Sequence, residues 1–149
     1  MSELSFQTFC IEFYSKHIQK SSPEVYAMFA ESGLLELLKT DYDDLHGMGM
    51  EAQMQFFDEY LAKKLALQKS ADITVIEHSE VRSVNVPQIV KILCHYYNIS
   101  EDESLKRFYE SATGANLADE ETGLYGQSAL HIAGLFIVEQ DGDIDHSRL

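Results

Sequence analysis

Between Phe6 and Ile18, the residues Phe6, Phe9, Cys10, Phe13, Tyr14, His17 and Ile18 follow the alternating three-and-one spacing of one buried helical face. Gln7, Glu12, Ser15, Lys16 and Gln19 fall opposite and are expected at the surface. Ser21-Ser22-Pro23-Glu24 then reads as a helix start, with Ser21 and Glu24 spaced as a capping box and Pro in the first turn. That helix turns Val25, Met28 and Phe29 inward and ends near Gly33; a short helix over Leu34–Leu38 follows. The pattern breaks at residues 40–49, where Gly47 and Gly49 are expected to take conformations closed to other residues or to admit close chain approach. A long helix resumes from Met50 to about Lys69, with Met50, Met54, Phe57, Leu61 and Leu65 on one stripe.

The same order then recurs. Residues 9–60 and 88–139 align at a constant offset of 79 without a gap. Ser21, Glu24, Phe29, Glu31, Ser32, Leu38, Leu45, Gly47 and Phe57 return as Ser100, Glu103, Phe108, Glu110, Ser111, Leu117, Leu124, Gly126 and Phe136. The second copy predicts a helix over Pro87–Tyr97, a capped helix after Ser100, an acidic loop over 113–123, and a final helix from Gln127 to Glu139 through Leu130, Ala133 and Ile137. Between the copies, Ile73–Ile76 and Val81–Val84 are β-branched and form either a small hairpin or an ordered linker. The expected architecture is all-α, two tandem pseudo-repeated helical units packed together. Its parts are a first unit at 1–70, the linker or hairpin at 71–86, a second unit at 87–139 and a flexible acidic tail at 140–149.

Charge narrows the function. The 149 residues carry 11 Lys and Arg against 25 Asp and Glu, a net charge of −14. Such a field repels phosphate backbones and anionic lipid, so direct nucleic-acid and membrane binding are disfavoured and a basic protein is the natural complement. No apolar run reaches the ~20 residues of a membrane span, and residues 1–4 show no secretory pattern, so the cytoplasm is the expected location. Cys10 and Cys94 are too few for a disulfide framework and read as buried free thiols.

Reaction chemistry leaves no signature. The six histidines lack HExxH or paired Cys/His spacing, and His17 and His131 read as core histidines on apolar faces. Asp141-Gly142-Asp143-Ile144-Asp145 imitates the start of a calcium loop, but His146 stands where its turn glycine belongs. Gly47-Met48-Gly49 lacks the ending of a phosphate loop. No catalytic residue, metal or cofactor is expected.

What remains is a repeated acidic step beside an aromatic or His ring and a glycine. Asp41, Tyr42, Asp43, Asp44, His46 and Gly47 form the first; Asp119, Glu120, Glu121, Tyr125 and Gly126 form the second. These carboxylates either cap or solvate a loop, or they accept paired hydrogen bonds from a basic partner while the ring supplies an anchor. A small-molecule or enzyme cleft between the units, around Tyr42, His46 and Tyr125, is the alternative. A third reading is a scaffold that pairs as a homodimer.

Cys10-Ile11-Glu12-Phe13-Tyr14, Ser21–Phe29 and Tyr42-Asp43-Asp44-Leu45-His46-Gly47-Met48-Gly49 together resemble a bacterial family of small acidic helical proteins of unknown function. The resemblance covers about Phe9 to Leu61. It implies a gene often placed beside those for ADP-ribosyltransferase-like proteins, hence an antitoxin or immunity-like protein that neutralises such a toxin or effector. The family offers no catalytic residues to carry over. The expected function is non-catalytic binding of a basic protein partner through the two acidic steps.

Overall fold

The Ser2 hydroxyl accepts a hydrogen bond from the Ser5 backbone N–H at 3.1 Å and starts the first helix, α1, Glu3–Ile18. The computed structural model describes residues 2–65 and 77–149. After α1 come α2 (Ser22–Ser32), α3 (Leu34–Thr40), α4 (Tyr42–Leu45), α5 (Met50–Leu65), α6 (Ser79–Tyr97), α7 (Glu101–Glu110), α8 (Ala112–Ala118) and α9 (Ala129–Asp141). Short 3-10 turns lie at Glu120–Thr122, Leu124–Gly126 and His146–Arg148. Among the described residues there is no strand, and the fold is all-α.

α1 is the central element. It packs most extensively against α6, and α2, α3 and α5 close its other sides. α1 and α6 run antiparallel: Glu12 meets Arg82 near the start of α6, while Glu3 and Leu4 share a cavity wall with Ser100 and Asp102, just past its end. Part of the polar side expected at the surface is therefore covered: Gln7, Glu12 and Ser15 are buried together with Thr8, while Lys16 is exposed. Each finds a partner, as burial demands: Thr8 Oγ1 donates to the Leu4 carbonyl at 3.1 Å, Gln7 Nε2 to the Leu35 carbonyl at 3.3 Å, and Ser15 to the Lys20 carbonyl. No described buried side-chain nitrogen or oxygen lacks one. His17 and His131, read as core histidines, are both exposed.

α6 begins at Ser79, eight residues before the expected start, so Val81–Val84 is helical and not strand. β-branching is a weak preference there, and it yields to Arg82, Val86, Ile89, Val90 and Leu93, which all face the core. Pro87 sits inside the helix. Ile73–Ile76 and the expected end of the helix near Lys69 lie outside the described residues. The predicted loop at 113–123 is largely helical as well. Ser111 caps α8 through the Gly114 N–H at 3.0 Å, and the Glu139 carboxylate accepts from Ala112 N, Thr113 N and Thr113 Oγ1 at 2.6–3.1 Å.

The ends of several elements recur at the 79-residue offset. α1 and α6 both stop on a left-handed residue, Gln19 (φ 58°) and Asn98 (φ 54°). α5 and α9 start 79 apart, at Met50 and Ala129. The buried ring pair Phe29–Phe57, 5.5 Å between centroids, has its counterpart in Phe108–Phe136 at 6.3 Å. All four rings belong to one hydrophobic cluster, and Tyr26 stacks on Tyr109 across the halves at 5.2 Å. The capping boxes are incomplete. Ser21 makes no side-chain cap, and Glu103, below the capping hydroxyl of Ser100, pairs with Arg107.

Two further expectations change. Gly33 has the positive φ of a helix stop, 84°, but Gly47 and Gly49 have ordinary backbone angles and no close neighbour that a Cβ would strike. On α9, Leu130 points outward at 56% exposure; Ala129, Ile132, Ala133, Phe136 and Ile137 form the inward face. Residues 140–149 are placed against α6, with Arg148 4.3 Å above the Tyr96 ring.

Candidate functional site

The first acidic step is α4 and its flanks. Asp41, Asp43, Asp44, His46 and Gly47 are exposed, whereas Leu45 is buried and anchors the turn to the core. Tyr42 and His46, one helical turn apart, stack face to face with centroids 4.4 Å apart and 3° between planes. His46 Nδ1 lies 2.7 Å from the Tyr42 carbonyl, which only accepts, so Nδ1 carries the proton. Phe6 of α1 meets the Tyr42 ring edge-on at 5.4 Å. The carboxylates of Asp41, Asp43 and Asp44 make no hydrogen bond or ion pair with any described residue. The step is a stacked ring pair seated against Phe6 of α1, on a turn that also carries three exposed carboxylates.

The second step is built differently. Asp119 and Glu121 are exposed, and Asp119 accepts from the Glu121 N–H at 3.0 Å. Glu120 turns inward, where Arg82 Nη1 donates to it at 2.9 Å, His78 Nδ1 at 2.7 Å and the Glu77 N–H at 2.7 Å. Burial by itself would raise this carboxyl, but the bonds from His78, Arg82 and Glu77 outweigh it and hold Glu120 below the usual carboxylate range. Tyr125 stacks on His78 at 3.8 Å, and its carbonyl accepts from Asn85. Gly126 is exposed.

Behind Glu120 lies a buried ionic cluster. Arg82, 1% exposed, donates through Nε to Glu12 at 3.0 Å. Glu12 also accepts from Ser22 Oγ at 2.5 Å and Tyr109 Oη at 3.2 Å. Burial pushes the Glu12 carboxyl up, with Arg82, Ser22 and Tyr109 pulling against it; burial likewise holds the Tyr109 hydroxyl well above its ordinary value. Burial raises the Cys10 thiol too, leaving it unreactive, while Cys94 is half-buried. Glu12, Arg82 and His78 lie outside both acidic steps, and the acidic pattern does not mark them. A signal for Arg82 exists, since it is the one charge on the stripe continued by Val86, Ile89, Val90 and Leu93.

The structure does not bring Tyr42, His46 and Tyr125 together. The first two sit at Phe6, towards the start of α1, and the third sits at His78, next to the cluster on Glu12. Phe6 and Glu12 are separated by roughly 9 Å of helix rise. Among the described residues no group of His, Cys, Asp and Glu is arranged to hold a metal ion, and no helix is long and apolar enough to cross a membrane.

Residues 5–64 match a protein family of unknown function, DUF3791. The DUF3791 segment is less than half of the chain and spans α1 to the last turn of α5. It holds the first acidic step and Glu12, but neither Arg82 nor the second step. No curated protein and no solved structure matches the chain.

Proposed function

We propose that this chain is a non-catalytic protein-binding module that engages a basic surface through the first acidic step. The observation that supports it is the free state of the Asp41, Asp43 and Asp44 carboxylates beside the stacked Tyr42–His46 pair. A guanidinium reaching this corner gains charge-assisted hydrogen bonds without breaking an ion pair, and the ring pair loses little side-chain freedom on contact. The second step contributes less, because Glu120 is already committed to Arg82 and His78. Asp119 and Glu121 remain to widen the anionic face.

In the finer form of the proposal, the chain is a bacterial cytoplasmic protein built by duplication of one helical unit. It acts as an antitoxin or immunity-like protein on a basic, ADP-ribosyltransferase-like toxin or effector. The resemblance carried by Tyr42–Gly49 motivates this choice, and the net charge of −14 agrees with it. The test is co-expression with the product of the adjacent gene, with and without the triple substitution Asp41→Asn, Asp43→Asn, Asp44→Asn. The expected result is a salt-sensitive complex and restored growth, both lost in the triple variant. A complex that the triple variant forms equally well rejects the site. No complex and no rescue reject the function.

A further inference from the structure

A second surface, separate from the acidic step, is a groove of about 680 Å³ between the C-terminal half of α1 and α5. Its apolar floor is Phe13, Met50 and Met54, with Met50 46% exposed. Glu51, Asp58 and Glu80 stand on its rim against Lys16 and His17. Asp58 is occupied by Tyr14 Oη and His17 Nε2, both at 2.8 Å. The carboxylates of Glu51 and Glu80 have no partner among the described residues.

The other half of the molecule shows how such a seam is covered. Adding 79 to His17 and Gln55, which line the groove, gives Tyr96 and Gly134, and there the chain's own C-terminal segment lies across the helices. The Asp145 N–H donates to Tyr96 Oη at 2.9 Å. Ile144 packs so close to Gly134 that a Cβ there would lie 3.4 Å from Ile144 Cδ1. Four residues later, Arg148 stacks on the Tyr96 ring at 4.3 Å and donates through Nε to the Tyr96 carbonyl at 3.1 Å. Gly142, with φ 83°, ends α9 and lets the chain turn back. In the first half, α5 is still helical at Lys63–Leu65, the corresponding positions, so the chain does not turn there.

We propose that the α1–α5 groove docks a basic amphipathic segment of another protein. An apolar side chain seats on Phe13 and Met54, as Ile144 does on Gly134. An arginine or lysine about four residues further on meets Glu51 and Glu80. Charge selects the occupant. The tail of a second copy of this chain brings Asp141, Asp143 and Asp145 to an acidic rim, whereas a basic segment complements it. Methionines in the floor adapt to the shape of the inserted side chain. The proposal does not rest on the role given above to Asp41–Gly47.

The probe is a fluorescent peptide with the sequence of residues 140–149 carrying Asp141→Lys, Asp143→Lys and Asp145→Lys, titrated into the full chain by anisotropy. The expected result is saturable, salt-sensitive binding. Ile144→Asp in the peptide, and Met50→Lys or Glu51→Lys in the protein, each weaken it by about tenfold, the scale of one lost anchor contact. Both protein positions are exposed, and unchanged helical circular dichroism verifies their folds. Asp41→Asn, Asp43→Asn, Asp44→Asn leaves peptide binding unaltered, which separates this groove from the acidic step. Absence of saturable binding, or binding indifferent to Met50→Lys, overturns the proposal. So does concentration-dependent dimerisation abolished by Met50→Lys, which assigns the groove to a second copy.

Discussion

Replacing Arg82 by methionine keeps much of the side-chain volume and removes the one cation that faces both Glu12 and Glu120. Glu12 is then left fully buried with only the Ser22 and Tyr109 hydroxyls as donors. Removing one partner of a buried pair costs about 3–5 kcal/mol, because the survivor's charge is neither solvated nor compensated. Against a typical total stability of ~5–15 kcal/mol this is a large fraction. For a chain of this length it corresponds to a melting temperature lower by roughly 6–20 °C. The pH dependence carries the sharper test. Burial already raises the Glu12 carboxyl, and losing Arg82 raises it further. A carboxyl whose folded pKa exceeds its unfolded value, about 4.3 for Glu, makes the folded state the better proton binder. Its penalty is therefore absent below the unfolded value, grows as pH rises above it and is complete once pH has passed the folded one. Urea denaturation of Arg82→Met at pH 5 and pH 7.5 is expected to show the larger loss at pH 7.5. Adding Glu12→Leu recovers most of that loss, since an apolar pair replaces the stranded charge. A single-variant loss below ~1 kcal/mol, or one equal at both pH values, refutes the reasoning, because Glu12 is then already neutral beside Arg82 and the substitution strands no charge.

Glu120 has the opposite sign. Its folded pKa is depressed, so its contribution is present above the ordinary carboxylate value and vanishes as pH falls through the folded one. Glu120→Gln is expected to flatten the acid limb of stability against pH, measured by thermal melts between pH 3 and pH 6; an unchanged limb rejects the latch on His78 and Arg82. Gly114→Ala adds a Cβ 2.1 Å from the Phe108 carbonyl oxygen, a backbone atom that cannot step aside. The cost is about 3 kcal/mol, well above the ~1 kcal/mol alanine gains in helix propensity, so the urea midpoint falls. A stabilised variant contradicts the packing of α8 on α7.

The helical order was readable because its signals are local. The three-and-one spacing from Phe6, the serine at 100 and Gly33 all act within one or two turns, whereas the cap at Ser111 and the helix it starts went unread. Reading failed where a partner distant in sequence decides. Val81–Val84 looks like a strand by composition, yet it is helical because Arg82 must reach Glu12. Glu12 looks like a surface residue by periodicity, yet α6 covers the side of α1 that carries it. Among the candidate acids, Asp41, Asp43 and Asp44 stay outside as a solvated turn would hold them. Glu120 is drawn in by a cation 38 residues away.

The sequence by itself determined an all-α fold, several of its helix limits, its acidic composition and the aromatic core positions, since caps, periodicity and net charge need no knowledge of neighbours. Only the tertiary structure decided that α1 is enclosed, that two carboxylates share one buried arginine, and that a C-terminal segment covers the seam at Tyr96 and Gly134. Those outcomes depend on which surfaces meet across the antiparallel α1–α6 pair. Desolvation then sets a cost on each polar group that a contact must meet, and no short stretch of sequence specifies that contact.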